Sequence, residues 1–323
     1  MSGRTLGLVT LVGFALMSAF VDVIAGYRLQ HDDIFAVAAI SFTLVAVFFL
    51  GYELLFGAPR VRRALADRTG DVLGINAGTL LSWLPLLFAL KLIEPAVANI
   101  VSIAIGPAII VLLSPLFMPQ AEILLIEKLA AGGIVVVIGA LAAVTFTGSS
   151  AVGKGAAAPL VLGTLAALAS GLGASLNMVY GKRLQLAGLT PTSVMAVRFF
   201  VVVGVSWICY GLFGVGGVGG AAMTGLLVAI LGLGLPMYLI QFALRYVEPI
   251  TASIMMSLAP IFTFLLQFFD SRLSQSLFSL ICITAATALV MISTFVREQH
   301  EKVGGLKCLS RHPNMIPENS SDG

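Results

Sequence analysis

Long apolar stretches, each about as long as a bilayer crossing, alternate along this chain with short polar segments. A helix needs about 20 mostly apolar residues to cross the hydrocarbon layer. Ten stretches qualify: 5–26, 34–55, 72–91, 95–117, 129–147, 157–179, 192–213, 222–244, 249–269 and 275–296. They are spans 1 to 10 below, and the pattern predicts an all-α membrane protein of ten transmembrane helices. The apolar run after Arg4 reaches Gly26. It exceeds the roughly 7–15 apolar residues of a signal peptide, so it reads as the first membrane helix. From Arg297 to Gly323 the chain turns polar and ends in Pro, Asn, Ser and Asp, which predicts a disordered tail.

Composition sharpens that reading. The chain is 59% hydrophobic and 10% charged, with mean hydropathy +1.05. Soluble domains carry about 25% charged residues, so lipid must solvate most of this surface. A net charge of +3 is too small to point to a nucleic-acid partner. Placement of the cations is more telling. With the N-terminus inside, the inner segments hold Arg4, Arg60, Arg62, Arg63, Arg68, Lys128, Lys182, Arg183, Arg245, Arg297, Lys302, Lys307 and Arg311. The outer segments hold Arg28, Lys91, Lys154 and Arg272. Cytoplasmic loops collect Lys and Arg, which predicts a multi-pass protein of the cell inner membrane with both termini cytoplasmic. Cys209, Cys282 and Cys308 have no metal or disulfide spacing and read as packing thiols.

The first half recurs in the second. Residues 88–100 read FALKLIEPAVANI and residues 242–254 read FALRYVEPITASI; residues 26–30 read GYRLQ and residues 181–185 read GKRLQ. Both matches fall at nearly one offset. Each half holds an odd number of spans, so the second starts on the opposite face, giving an inverted repeat of the kind built into many secondary transporters. The expected units are residues 1–148 and 149–296, with the tail at 297–323. In the repeated motif, Lys91 and Arg245 close one helix beside the negative end of its dipole. Glu94 and Glu248 open the next, with Pro95 and Pro249 in its first turn, where no N–H is needed.

These features resemble the drug/metabolite transporter superfamily, and within it proteins with two EamA-type domains. The resemblance rests on the F-A-L-[KR]-x-x-E-P corner, the small or polar residues after it (Ala98-Asn99 and Ala252-Ser253), the prolines at Pro107 and Pro260, and Arg198 in TPTSVMAVRFF. It covers about 5–296. Three places depart from the family pattern. Thr43 stands near the first-half counterpart of Arg198, Asp270 stands where relatives carry a glutamate, and Glu122 or Glu127 corresponds to it in the first half. The resemblance implies the ten-helix fold, transport of a small solute, and a central cavity walled by spans 3, 4, 8 and 9.

Polar groups are costly in lipid and usually face a protein interior or a watery cavity. Asp22 in span 1 and Asn177 at its repeat match in span 6 are two such groups. Asp22 reads either as an interface anchor or as a substrate or proton contact, and it is the candidate for proton coupling. Arg198 lies inside span 7, where it binds a carboxylate or snorkels to the headgroups. Asn76 and Trp83, with Thr79, share a face of span 3; Tyr238 and Gln241 share one of span 8; Asn99 in span 4 matches Ser253 in span 9. These are the substrate-binding candidates, against the alternative that they tie helices together. Pro85, Pro107, Pro236 and Pro260 fall mid-span and read as hinges or as static kinks.

No phosphate-binding glycine pattern has the strand and helix context it needs, so no nucleotide engine is expected, nor any cofactor or metal. His31, His300 and His312 lie in loops or the tail, and the chain is not expected to be an enzyme. The expected function is a secondary transporter, an exporter of an amino acid or related neutral or zwitterionic solute. The alternatives are a scaffold or receptor without flux, or transport of drug-like compounds or organic anions. Expected partners are the solute and the bilayer, with a homo-oligomer open.

Overall fold

The structure is a computed structural model, and it describes residues 3–56, 58–105, 124–146, 157–243, 246, 255–270 and 277–311. Among them there is helix and no strand. Six helices are long and apolar enough to cross a membrane: Thr5–Arg28, Ile34–Phe56, Thr69–Leu92, Ala158–Leu186, Pro191–Phe213 and Val218–Ile240. Shorter apolar helices at Pro95–Ile105, Lys128–Leu141, Ala259–Phe269 and Leu277–Ser293 fall on the four remaining predicted stretches. The chain is a multi-pass helical membrane protein.

The helices that carry the description are α1 (Gly3–Arg28), α2 (Ile34–Phe56), α3 (Ala58–Asp67), α4 (Thr69–Leu92), α5 (Pro95–Ile105), α6 (Leu125–Phe146), α7 (Ala157–Leu186), α8 (Pro191–Val197), α9 (Phe200–Phe213), α10 (Val218–Leu227), α11 (Leu235–Ala243), α12 (Ala259–Leu266) and α13 (Leu277–Arg311). The most extensive packing is between α4 and α7. Lipid tails are as apolar as leucine, so helices associate through close backbone approach, and small residues permit it. A Cβ on Gly173 of α7 would lie 2.7 Å from the Gly78 carbonyl oxygen of α4, and one on Gly171 would lie 2.5 Å from the Ser102 carbonyl oxygen of α5. Ser102 Oγ donates to the Ala167 carbonyl of α7 at 3.0 Å. On the other side α1 packs on α11 and on α12, α2 packs on α8, α9 and α10, and α6 packs on α13.

Four local features differ from ten uninterrupted helices and a loose tail. Span 7 breaks between α8 and α9. Span 8 contains a π-helical stretch at Val228–Gly234, one turn before Pro236. Pro260 sits in the first turn of α12, just after a turn at 257–258 that follows helical Met255 and Met256, and there its missing N–H costs no helical bond. Pro85, by contrast, lies within an uninterrupted α4. Finally, α13 runs on to Arg311, into the segment expected to be disordered. Residues 297–311 hold Arg, Glu, Lys and Leu, good helix formers, on both sides of Gly304-Gly305, and the first proline after them is Pro313.

The two motifs repeated in the sequence meet in the first half. A Cβ on Gly26 would lie 2.9 Å from Pro95 Cγ, and Gln30 Nε2 donates to the Lys91 carbonyl at 2.7 Å. Glycine at 26 is therefore what lets the proline corner seat against the end of α1. In the orientation that pairs both ends of its amide, Gln267 donates to Glu94 Oε1 at 2.9 Å and accepts from the Ala96 N–H at 2.8 Å. The corner between α4 and α5 is thus tied to the end of α12. Glu94 lies between the two spans and is buried. Burial pushes its carboxyl from 4.5 up to about 7, against the opposing hydrogen bond from Ser279.

A carboxyl raised in this way binds more protons folded than unfolded. Its contribution to stability is therefore lost as pH rises from about 4.5 to about 7, and is constant above that. Wild-type protein in detergent is expected to lose thermal stability relative to Glu94→Gln between pH 5 and pH 8, roughly the window of that titration. Parallel melting curves across the window would contradict this account of the corner.

Candidate functional site

One side-chain amide organises the site. Asn76 of α4 donates from Nδ2 to the Val197 carbonyl at 2.7 Å and accepts at Oδ1 from the Val201 N–H at 3.1 Å. In an unbroken helix Val201 N–H would bond Val197 carbonyl directly, four residues back. Asn76 instead stands between them, a side chain inserted into the ladder, which is one established cause of a helix break. Its Nδ2 also donates to the Val72 carbonyl at 2.8 Å, which holds the amide plane against its own helix.

The residues freed at the break are Arg198 (φ −91°, ψ −10°) and Phe199 (φ −105°, ψ 0°). Both lie in the sparsely occupied region between helix and strand that active-site residues often use. Arg198 is 3% exposed. Its Nε donates to Thr79 Oγ1 at 3.3 Å and its Nη1 faces Met195 Sδ at 3.8 Å. Its Nη2 is buried without a hydrogen-bond partner. Thr79 Oγ1 lies 2.7 Å from the Ile75 carbonyl and 3.0 Å from Asn177 Oδ1 on α7, so its single proton serves one of the two while its oxygen accepts from Arg198. Around this polar group stand three aromatic rings. Phe42 of α2 lies 6.0 Å from Phe199 and 6.4 Å from Trp83, the latter edge to face.

Asn76, Asn177 and Arg198, on three different spans, therefore meet around one break in one helix, and Trp83 stands beside it through Phe42. A second group joins three other helices. Asp22 of α1, 7% exposed, accepts from Asn99 Nδ2 of α5 at 2.6 Å, and the same nitrogen lies 3.1 Å from Thr263 Oγ1 of α12. Asp22 and Asn177 occupy matched positions in the repeat but different partnerships, one with α5 and the other with α4.

Tyr238 is 40% exposed on α11, its ring stacked 6.4 Å from Phe242, and Gln241 lies on the same helix. Ser253 and Pro107 lie outside the described residues.

Several participants were not anticipated. Glu53, near the end of α2, accepts from Thr192 at 2.5 Å, Ser193 at 2.9 Å and Thr190 at 3.5 Å, pinning the start of α8. At the other end of α2, Asp33 accepts from Val215 N–H at 3.0 Å and Asp32 from Thr224 at 2.5 Å. Midway, Trp207 Nε1 donates to Thr43 at 2.9 Å. Span 7 is thus held to α2 at both ends and in the middle. A lone acid within an otherwise apolar stretch was the available signal for Glu53, and a hydroxyl at membrane depth that for Thr263; Phe42 carried none.

The fold matches twelve solved chains. One of them, a crystal structure described only as that of a protein, is 22% identical and superposes with a TM-score of 0.58 over 89% of this chain and 95% of its own. At that identity the likeness shows the fold alone. No family model matches this sequence and no curated protein matches it.

With Asn76 replaced by Leu, the Val197 carbonyl and Val201 N–H must either stay unpaired, at about 1–3 kcal/mol each, or bond each other. The second is cheaper. Asn76→Leu is therefore expected to fold, with span 7 continuous and slower hydrogen exchange across residues 195–203. Exchange as fast as in the wild type would contradict the wedge.

Proposed function

We propose that this protein is a secondary transporter that exports a small metabolite, an amino acid or a related neutral or zwitterionic solute, by alternating access. The observation that carries the reading is the broken span 7 with a buried guanidinium at the break. Transporters of this kind gather their substrate groups where membrane helices are discontinuous. A purely structural bundle has little use for a buried charge that, among the described residues, no carboxylate balances.

The packing pairs support ten spans in two inverted halves. Exchanging spans 1–5 with 6–10 turns the α1–α12 contact into α5–α7, and the α1–α11 contact into α4–α7. The same exchange maps the pairing of α2 with span 7, and that of α6 with α13, onto themselves. A two-fold relation of this sort makes an inward-open and an outward-open arrangement nearly equivalent in packing. In this reading both termini are cytoplasmic, the membrane is the cell inner membrane, and the protein is of the drug/metabolite transporter superfamily with EamA-type halves. Asp22, with Asn99 and Thr263, is the second polar centre, and Asp22 is the residue proposed to carry a coupling proton. No catalytic or cofactor role is assigned to any residue.

Expression in a host cell, with metabolites measured inside and outside, tests the reading. One class of amino acid is expected to accumulate outside severalfold with the intact protein and not with the Asp22→Asn, Arg198→Ala double variant. If no solute moves in either direction, in cells or in loaded proteoliposomes, the protein is a scaffold and not a carrier.

A further inference from the structure

We propose that Arg198 is the carboxylate-recognition residue of a subsite at the break in span 7, so that the solute carried is one bearing a single carboxylate. The inference rests on the transporter reading and narrows it from neutral or zwitterionic solutes in general to those with this group.

The charge balance makes the first argument. Arg198 is buried, and among the described residues no carboxylate pairs with it. Two of its three nitrogens are occupied by neutral groups, Thr79 Oγ1 and Met195 Sδ, and Nη2 has no partner. The Phe199 ring, 5.6 Å from the guanidinium carbon, offsets only part of the cost of a buried charge without a counter-charge, and a carboxylate that arrives and leaves would offset the rest. A guanidinium nitrogen is a strong, directional donor to carboxylate oxygen.

Backbone geometry makes the second. Arg198 lies one residue before Phe199, the capping residue of α9, which supplies no side-chain cap of its own. The first turn of a helix carries partial positive charge, and in a discontinuous membrane helix that charge adds to the cation's field instead of being buried along the span. Asn76 occupies the Val201 N–H and keeps the break open with or without a ligand.

The number of charges sets the class. A phosphate dianion calls for several cations, and this cluster contributes one. Thr79 and Asn177 are neutral, and Phe42, Phe199 and Trp83 offer an apolar wall. A monocarboxylate with an apolar side chain fits that set. Asn177 and Trp83 are only partly buried, so the cluster reaches accessible surface there.

The test uses the full chain in lipid nanodiscs, with L-phenylalanine, L-leucine, hydrocinnamate and acetate as probes. L-phenylalaninamide, phenethylamine and sodium chloride serve as matched controls. The carboxylates are expected to bind and to raise the melting temperature, while the amide and the amine do neither. Arg198→Lys is expected to weaken carboxylate binding about tenfold or more, because an ammonium lacks the planar fork, and Arg198→Gln to abolish it. Ligand-free Arg198→Gln is expected to melt no lower than the wild type, since among the described residues the charge removed had no carboxylate to balance it, whereas a purely structural arginine would leave a weaker fold. The proposal is overturned if no carboxylate has an effect, if the amide binds as well as the acid, if binding survives Arg198→Gln, or if chloride protects as well as every carboxylate. Should Arg198→Gln fail to fold, the acid-against-amide comparison on the wild type decides the proposal. Carboxylate binding without flux in proteoliposomes would remove the transporter reading and leave this site standing. Flux of a solute lacking a carboxylate, unchanged in Arg198→Lys, would remove the site and leave the transporter.

Discussion

A single amide set into the hydrogen-bond ladder of span 7 determines much of what surrounds it. Asn76 takes up the Val197 carbonyl and the Val201 N–H that would otherwise bond each other. In lipid no water stands ready to satisfy a separated pair, so a break is stable only where protein groups satisfy both ends. Asn76 does that with two bonds from one rigid plane. Arg198 and Phe199 then leave helical geometry together, and the guanidinium comes to Thr79 instead of remaining on the outer surface of a straight helix.

Such a break works only if the helices around it are firmly placed. The placement comes from two different sources. Between α4 and α7 it comes from glycines that bring the backbones close, so dispersion contacts and carbonyl dipoles act at short range. Between α2 and span 7 it comes from polar groups at both ends and the middle, with Glu53 gathering three hydroxyls at one end. Asn76 is thus carried on a helix held by close backbone packing and acts on a helix held by hydrogen bonds. In the transporter reading, the first packing can slide or rock while the second keeps span 7 registered on α2.

Much of the architecture was legible in the sequence, because bilayer crossing is a matter of length and apolarity, both one-dimensional. All ten predicted stretches carry apolar helix among the described residues, and the proline corner has the tight first turn its residues imply. The repeated motifs were recognisable as repeats, although their contact with each other, Gln30 onto Lys91 and Gly26 beneath Pro95, was not. Partnerships were the illegible part. Asn76 was legible as a polar residue at membrane depth and not as a wedge, because the groups it binds lie on a helix more than a hundred residues away. Asp22 and Asn177 match in the repeat but pair differently, Asp22 with Asn99 in its own half and Asn177 with Thr79 in the other. Pro260 was legible as an irregularity in an apolar stretch, and the turn at 257–258 between helical residues lies just before it. The break at Arg198 had no local signal at all: VMAVRFF contains neither glycine nor proline, and a tertiary contact overrides its propensity.

The central claim is that the cluster beside the break opens to both sides of the membrane in turn. Asn177 is a partly buried polar group within it. The most direct measurement is labelling of Asn177→Cys, in protein with Cys209, Cys282 and Cys308 replaced by Ala, using a membrane-impermeant thiol reagent on right-side-out and inverted vesicles. The account predicts labelling from both sides, with a saturating transported solute shifting the two rates in opposite directions. Labelling from one side only, unaltered by any solute, would contradict it.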